Sequence, residues 1–546
     1  MSANESMNRD PGSALSHSAR GTRPEKNAPM RIGSLVLGVL LALPLAAQSV
    51  REVTTVEVVE VPVYVTDGGK PVTGLTREHF RLFVNGKPQS IDYFDAVDFA
   101  GLSADEAQNP KQRRLYFLLF DLTSQPFAMV RARRAVDEFV QQAGPADAFA
   151  VGTIGQRGLS VVVPFTRDRD AIRHAVRALN AETRDPLRLA AYSPSQQVME
   201  RSRWDTDADP ILDSQLTDMM KGLGEQPVIR AVHDTVGLLD GLARQLAPLE
   251  GHKHVVLLSS GFDTTVILRN PLAKPLADVT QAPMVDMTSA ITEKMVLTKA
   301  GAPDVSPGLF KALEQMNARY AGASVFLDAI DIAGLRATWG AGDSDALRLL
   351  ARTGQVVANR NNLGEAIRYL SDTQRMVYVL GFHARDPRKQ NGVRVELVNV
   401  PGSPTVTHRR SFSSTAPESA SSLLLADIVA NDIPQNGLTV AATVDATKPR
   451  SATLSIAIPG RELLALGGDH VSAQALLYIF SGTRAVAFQG KEIEIDPKRA
   501  AHLEELQFGV RQTFDLEPGT YTAKVLVRVI GAEARGFART EFTVRD

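Results

Sequence analysis

The sequence predicts an α/β fold, a doubly wound and mainly parallel sheet flanked by an N-terminal β unit and a C-terminal β-sandwich. Three observations lead there. Leu115 to Phe120 is a short run apolar on both faces, the pattern of a strand covered by helices on both sides. From Arg113 onward such runs alternate with segments of helical periodicity. Beyond the Ser-rich stretch Ser411 to Ser422, short β-type runs follow one another separated by turn signals.

At 546 residues the chain is too long for one core, so two to four domains are expected. Apolar content of 44% and charged content of 22% are ordinary for globular protein. Sixty basic residues against 61 acidic ones give a formal net charge of −1. Such balance leaves no electrostatic footprint for nucleic acid or for an anionic membrane. The absence of cysteine excludes disulfides, thiol catalysis, cysteine-bound zinc and a lipid-modified cysteine.

In chain order, residues 1–29 are polar and read as a disordered extension, or as a mis-assigned start ahead of Met30. Met30-Arg31 and the apolar run Ile32 to Ala47 make a signal peptide over 30–47, with cleavage after Ala47. The run is too short for a comfortable membrane span, so no stable span is expected after cleavage. The protein is therefore expected to be exported, to the periplasm, the cell surface or the medium. Residues 49–98 read as a β unit: a β-branched strand Val53 to Val65, a turn at Thr66 to Pro71, a short helix at Thr76 to His79, and a tight turn at Asn85-Gly86. Asp98 to Gln112 reads as a linker.

The α/β domain is placed at 113–412. Helical spacing covers Ala128 to Ala143, Asp168 to Leu179 and Val228 to Leu246. Ala148 to Gln156 and Leu159 to Phe165 form a strand pair around a glycine turn, and His252 to Asp263 contains another all-apolar strand. Helix-then-strand patterns recur at 312–331 and 346–359. Two stretches interrupt the pattern, near 185–224 and 269–307. The second carries Met284, Met287, Ile291, Met295 and Val296 at helical spacing, which suits a helix packed on the domain, a lid or a partner-binding helix. Residues 413–422 are a low-complexity linker, and about seven β-type runs over 423–546 suggest a sandwich of the immunoglobulin or fibronectin type.

Asp121 stands where the apolar strand stops, at the carboxyl edge at which open α/β sheets bind ligands. With Thr123 and Gln125 it resembles the Asp-x-Ser-x-Ser metal-adhesion segment of von Willebrand factor A domains. Thr353-Gly354, Tyr378 to Phe382, Arg409 to Phe412 and the lead-in around Val61 to Phe94 widen the likeness. Residues 53 to 412 are similar to the VWFA-related domain described in acidobacterial proteins. That resemblance implies a binding domain rather than an enzyme, and a site for a hard cation, Mg²⁺ or Mn²⁺, formed by three loops. Asp121 and Thr123 would be direct ligands. Gln125 occupies a hydroxyl place, Gln226 aligns with the family's threonine, and Ser260 stands where aspartate is usual. Asp263 could compensate from three residues on. The site is thus degenerate, and the competing reading makes Asp121 a helix cap that binds loop amides without metal.

The expected partner is another protein or a cell-surface polymer, and the expected role is adhesion without catalysis. A metal-independent scaffold of the cell envelope is the alternative. A secreted hydrolase using Ser259 or Ser260 with His233, His252 or His254 is the third reading, although the Gly-x-Ser-x-Gly elbow is absent. P-loop, His-Glu-x-x-His and EF-hand patterns are absent too, and Ile154 to Gly158 reads as a hairpin turn.

Overall fold

The computed structural model describes residues 58–103, 105–124, 126–155, 158–180, 230–262, 307–335, 342–384, 390–412, 421–467, 470–495, 507–532 and 534–546. The segments read as an extension (1–29) and as a signal peptide (30–47), the two interruptions apart from Pro307, and most of the expected linker 413–422 lie outside these residues. So do Gln125, Gln226 and Asp263. Among the described residues no helix is long and apolar enough to cross a membrane.

The chain first forms β1 (Val58–Asp67), β2 (Lys70–Pro71), β3 (Phe80–Val84), β4 (Lys87–Gln89) and β5 (Tyr93–Asp98). Asn85 and Gly86 join β3 to β4 at φ of 50° and 76°. A two-residue hairpin loop needs positive φ at both places, and Asn-Gly meets that need with little strain.

The parallel sheet follows. Its elements are β6 (Arg114–Asp121), α1 (Pro126–Gln142), β7 (Asp147–Gly155), β8 (Gly158–Thr166), α2 (Arg169–Ala178) and α3 over 230–246. Then come β9 (His252–Ser259), α4 (Pro307–Gly322), β10 (Val325–Asp331), α5 (Gly342–Leu350), β11 (Val356–Val357) and α6 (Leu363–Thr373). The six described strands run in the order β11-β10-β9-β6-β7-β8, all neighbours parallel except β8 against β7. Side-chain parity divides β6 cleanly. Leu115, Phe117 and Leu119 join a core with α3, α4 and α5, while Tyr116, Leu118 and Phe120 join one with α1, α2 and α6. None of these six is more than 1% exposed. Their burial contributes roughly 10 kcal/mol before chain entropy is counted.

The last segment assigned to the α/β domain departs from expectation. β12 (Met376–His383), β13 (Asn391–Leu397), β14 (Thr405–His408) and β15 (Ser411–Phe412) do not extend the parallel sheet. They pair with the N-terminal strands in two antiparallel sheets, β14-β1-β12-β5 (with β2 beside β1) and β15-β13-β3-β4. Residues 49–98 therefore do not complete a β unit by themselves. The reason is the alternation in β1: Val59, Val61, Val63 and Val65 need a covering layer, which Phe80, Leu82, Val393, Val395 and Phe412 supply from the second sheet.

The opposite face of the first sheet meets the parallel-sheet domain through Tyr64, Val97, Phe99 and Phe326. The Tyr64 hydroxyl lies 3.0 Å from His254 Nε2, and His254 Nδ1 lies 3.1 Å from Asp328 Oδ2. Asp328 also accepts from Gln374 Nε2 and the Gln355 amide, each at 2.8 Å. A proton on Nδ1, donated to Asp328, is compatible with the whole chain of bonds.

A second departure concerns the C-terminal part. Residues 423–430 do not begin a sandwich. α7 (Ser422–Ala430), capped by the Ser421 hydroxyl accepting from the Leu424 amide at 3.2 Å, buries Leu423, Leu424, Ile428 and Val429 in the core shared by α3 and α4. Strands resume at β16 (Ala441–Asp445) and β17 (Ser451–Pro459). After α8 (Gly460–Gly467) come β18 (Val471–Ser481), β19 (Arg484–Ile495), β20 (Gln507–Asp515), β21 (Gly519–Val529) and β22 (Arg535–Val544). Two antiparallel sheets, β16-β17-β20 and β19-β18-β21-β22, enclose one core of Leu454, Ile456, Ala475, Leu477, Val525 and their neighbours.

Candidate functional site

The strand order fixes where a ligand is expected. From β6 the chain moves outward to β7 and β8, then returns to place β9 on the other side of β6 and continues outward to β10 and β11. The direction of progress reverses between β6 and β9. In open parallel sheets the crevice outside the carboxyl ends at such a reversal is the usual binding position. Asp121 ends β6, Ser259 ends β9 and Asp331 ends β10.

Parity brings these three to one face. Asp121 follows Phe120 and shares the phase of Leu119, Ser259 shares that of Leu257, and Asp331 shares that of Ala329. Ser259 and Asp331 are direct register partners. Asp121 accepts at Oδ1 from the Thr123 amide (2.9 Å) and hydroxyl (2.6 Å), and at Oδ2 from the Ser259 hydroxyl (2.6 Å). Ser259 Oγ in turn accepts from the Gly261 amide at 3.0 Å, and Ser124 Oγ accepts from the Ser260 amide at 3.0 Å. Gly261 takes φ of 73°, so the turn leaving β9 uses the residue that tolerates it. Asp331, 1% exposed, accepts at Oδ1 from the Ala333 amide at 3.0 Å.

Of the sequence-predicted residues, Asp121, Thr123 and Ser260 are brought to this edge, while Gln125, Gln226 and Asp263 fall outside the described residues. Ser124 and Asp331 are members that the sequence reading did not single out, and Ser259 was named there only as a candidate nucleophile. The signal for Ser259 was available: counting alternate residues back from the end of β9 puts Ser259, not Ser260, in phase with Asp121.

In kind, a carboxylate ringed by hydroxyls suits a small hard cation. In arrangement, these oxygens serve one another: three donors converge on Asp121, and a cation would have to displace them. Among the described residues no cluster of three or more His, Cys, Asp or Glu side chains has metal-binding geometry. As they stand, the described residues fit a closed hydrogen-bonded set better than a metal centre.

Three exposed apolar side chains rim this edge, beside the exposed polar loop 359–362. Phe127 is 73% exposed and Val130 52% exposed on the opening turns of α1, and Leu335 is 62% exposed just past β10. Asn361 fastens the rim, accepting from Arg131 Nη2 at its carbonyl (2.5 Å) and from the Leu335 amide at Oδ1 (3.1 Å).

His254 and His252, two of the histidines considered for catalysis, lie away from this edge. His254 is five residues before Ser259 on an extended strand, about 16 Å away, and both its ring nitrogens are occupied by Tyr64 and Asp328. His252 packs edge-on against Phe99, ring centroids 5.2 Å apart.

No family model matches the chain, and no curated protein matches it. Among solved structures it is similar to the SpRpn10 VWA domain, at 11% identity over 47% of this chain and 94% of that one, with a TM-score of 0.19. It is also similar to the ArnB paralog VWA2 from Sulfolobus acidocaldarius, at 9% identity over 90% of this chain and 76% of that one, with a TM-score of 0.21. A third likeness, to the chicken interferon gamma receptor alpha chain, has 7% identity over 31% of this chain and 73% of that one, with a TM-score of 0.14. Scores this low carry no argument.

Proposed function

We propose that this chain is an exported, non-enzymatic binding protein of the VWFA-related type, which holds another protein or a surface polymer against the carboxyl edge of its parallel sheet. The observation that carries the reading is the reversal of strand order between β6 and β9, which places Asp121 and Ser259 beneath an exposed rim of Phe127, Val130 and Leu335. Exposed aromatic and aliphatic side chains on the helix starts and loops beside a rigid sheet edge are a usual anatomy of a recognition surface. Five parallel strands with one antiparallel edge and apolar packing on both faces support a doubly wound layout. The two C-terminal sheets around one core support an accessory sandwich of immunoglobulin or fibronectin type.

In this reading the degenerate adhesion site works without a cation, because Asp121 is already satisfied by internal donors. The export step is tested by the mature amino terminus, expected at Gln48. Metal dependence is tested by elemental analysis of the purified protein and by melting with Mg²⁺, Mn²⁺ or EDTA, with no shift expected. Retention of the protein by isolated cell envelopes should survive EDTA and fall about tenfold in a Phe127→Ser, Leu335→Ser double variant. Retention lost with EDTA and in Asp121→Ala alike would replace this reading by metal-bridged adhesion. Retention unchanged in the double variant would leave a scaffold role. Substrate turnover abolished by Ser260→Ala would establish the hydrolase.

A further inference from the structure

At the amino ends of the parallel strands, opposite the edge just described, lies a cavity of about 920 Å³. Its walls are the face of the first sheet bearing Tyr93 and Val379, the face of α4 bearing Arg319 and Gly322, and the turn into β9. That size falls within the range of small-ligand sites.

Two nearly buried basic side chains stand in its lining with no carboxylate in ion-pair contact among the described residues. Lys253, 6% exposed, donates to the Ala247 and Leu249 carbonyls beyond α3 at 3.1 and 3.0 Å. Arg409, 9% exposed, donates to the carbonyls of Ser411 (3.2 Å), Glu60 (3.0 Å) and Gly322 (3.1 Å). An ammonium has three N–H donors and a guanidinium five, so one donor of Lys253 and two of Arg409 remain beyond these bonds. The nearby Arg113 has its own carboxylate, Asp427, at 2.9 Å. At the mouth Arg244 and Arg319 share a single acid, Asp240, at 3.2 and 2.6 Å. The lining acids Glu60 and Glu250 are exposed and Asp95 is half-buried, where water screens them. Burying a cation without an anion is costly, and backbone carbonyls offset only part of that cost.

We propose that this cavity binds a small organic oxyanion, through a carboxylate or phosphate group held by Lys253 and Arg409, with Arg244 and Arg319 at its mouth. Guanidinium forks and ammonium donors match both oxyanions. Tyr93, 48% exposed on the cavity floor, offers a flat apolar surface to the organic part of the ligand. Burial, with the Arg409 and Arg113 charges second, pushes Lys253 down to about 7, while Glu250 pulls the other way. An incoming anion restores the ammonium, so binding takes up a proton and weakens as pH rises through neutrality.

The test is calorimetric titration of the purified full chain with citrate and, separately, with inorganic phosphate, at about pH 6 and about pH 8. Saturable binding of either probe is expected, about tenfold weaker at the higher pH. Citrate alone would mark a carboxylate ligand, and phosphate alone a phosphorylated one. Arg319→Gln, at the exposed mouth, and Lys253→Met, inside, are each expected to weaken binding about tenfold. Should Lys253→Met fail to fold, Arg319→Gln decides with Arg409→Lys beside it. Absence of binding by both probes at millimolar concentration overturns the proposal, as does binding that the variants leave unchanged. The carboxyl-edge reading stands or falls separately, since its variants lie at the other end of the strands.

Discussion

At the carboxyl edge a single carboxylate ties together the loops that leave β6 and β9. Asp121 receives an amide and a hydroxyl from the loop that follows it and a second hydroxyl from β9, so its removal leaves polar groups of two strands without their acceptor. Asp121→Ala is expected to lower the unfolding free energy in urea by about 2 kcal/mol, and Asp121→Asn, which keeps one oxygen, by about half as much. A loss below about 0.5 kcal/mol in Asp121→Ala would mean that the set contributes nothing to folding. His252 gives a second expectation. Burial, with the charges of His254 and Arg114 after it, depresses its folded pKa to about 3. The unfolded chain binds this proton below about pH 6.5, so stability attributable to the neutral ring is present above that pH and is lost as pH falls toward 3. The ring is half-buried, so its slope should lie below the ~1.4 kcal/mol per pH unit of one fully buried group. In His252→Asn the melting temperature should depend less steeply on pH between about 4 and 6.5; an unaltered profile would remove His252 from the account.

At the scale of elements, α7 shows what pattern reading can and cannot reach. Leu423 to Val429 is apolar enough to pass for a strand, and its helical state follows from Ser421 at the cap and from faces that two neighbours require. One of those demands is ionic: Arg113 and Asp427 are 2% and 0% exposed and bonded to each other. Arg113→Leu alone strands a buried carboxylate and should cost about 3–5 kcal/mol. Arg113→Leu combined with Asp427→Leu should restore most of that, and a double variant no better than the single one would show that the pair's own geometry matters more than the removal of a lone charge. The parallel strands were easier to read, because a run such as Leu115 to Phe120 states its burial on both faces. Their carboxyl edge was legible to within one residue, and strand phase separates Ser259 from Ser260. The partnership of β1 with β12 and β14 was not legible. Valine alternation says that a strand needs cover and neighbours, while their identity depends on segments far along the chain.

Across the whole molecule the C-terminal sheets are not a free appendage. Leu476, Phe480 and Leu526 on the outer face of the four-stranded sheet join the core that holds α3 and α7. Lys524 Nζ donates to the Val429 carbonyl at 2.9 Å and meets Asp432 at 2.8 Å. A shared apolar core makes unfolding cooperative, so calorimetry should show one transition for these parts. Leu526→Asp should split it into two, and a wild-type protein that already melts in two steps would contradict the coupling.

The same long-range pairing has a consequence for how the chain is made. Leu75 donates its amide to the Tyr378 hydroxyl across 303 residues of sequence, and Val58 lies opposite His383. A ribosome delivers the valine-rich opening strand early and the strands that flank it late. For most of synthesis Val58–Asp67 therefore has both edges bare apart from its two pairs with β2, which is the state most prone to mispairing with other chains. Messages truncated before residue 376 should yield protein that aggregates or is degraded, whatever the quality of the parallel sheet already completed. Cells that make this protein would need a holdase on the nascent chain until its final third arrives.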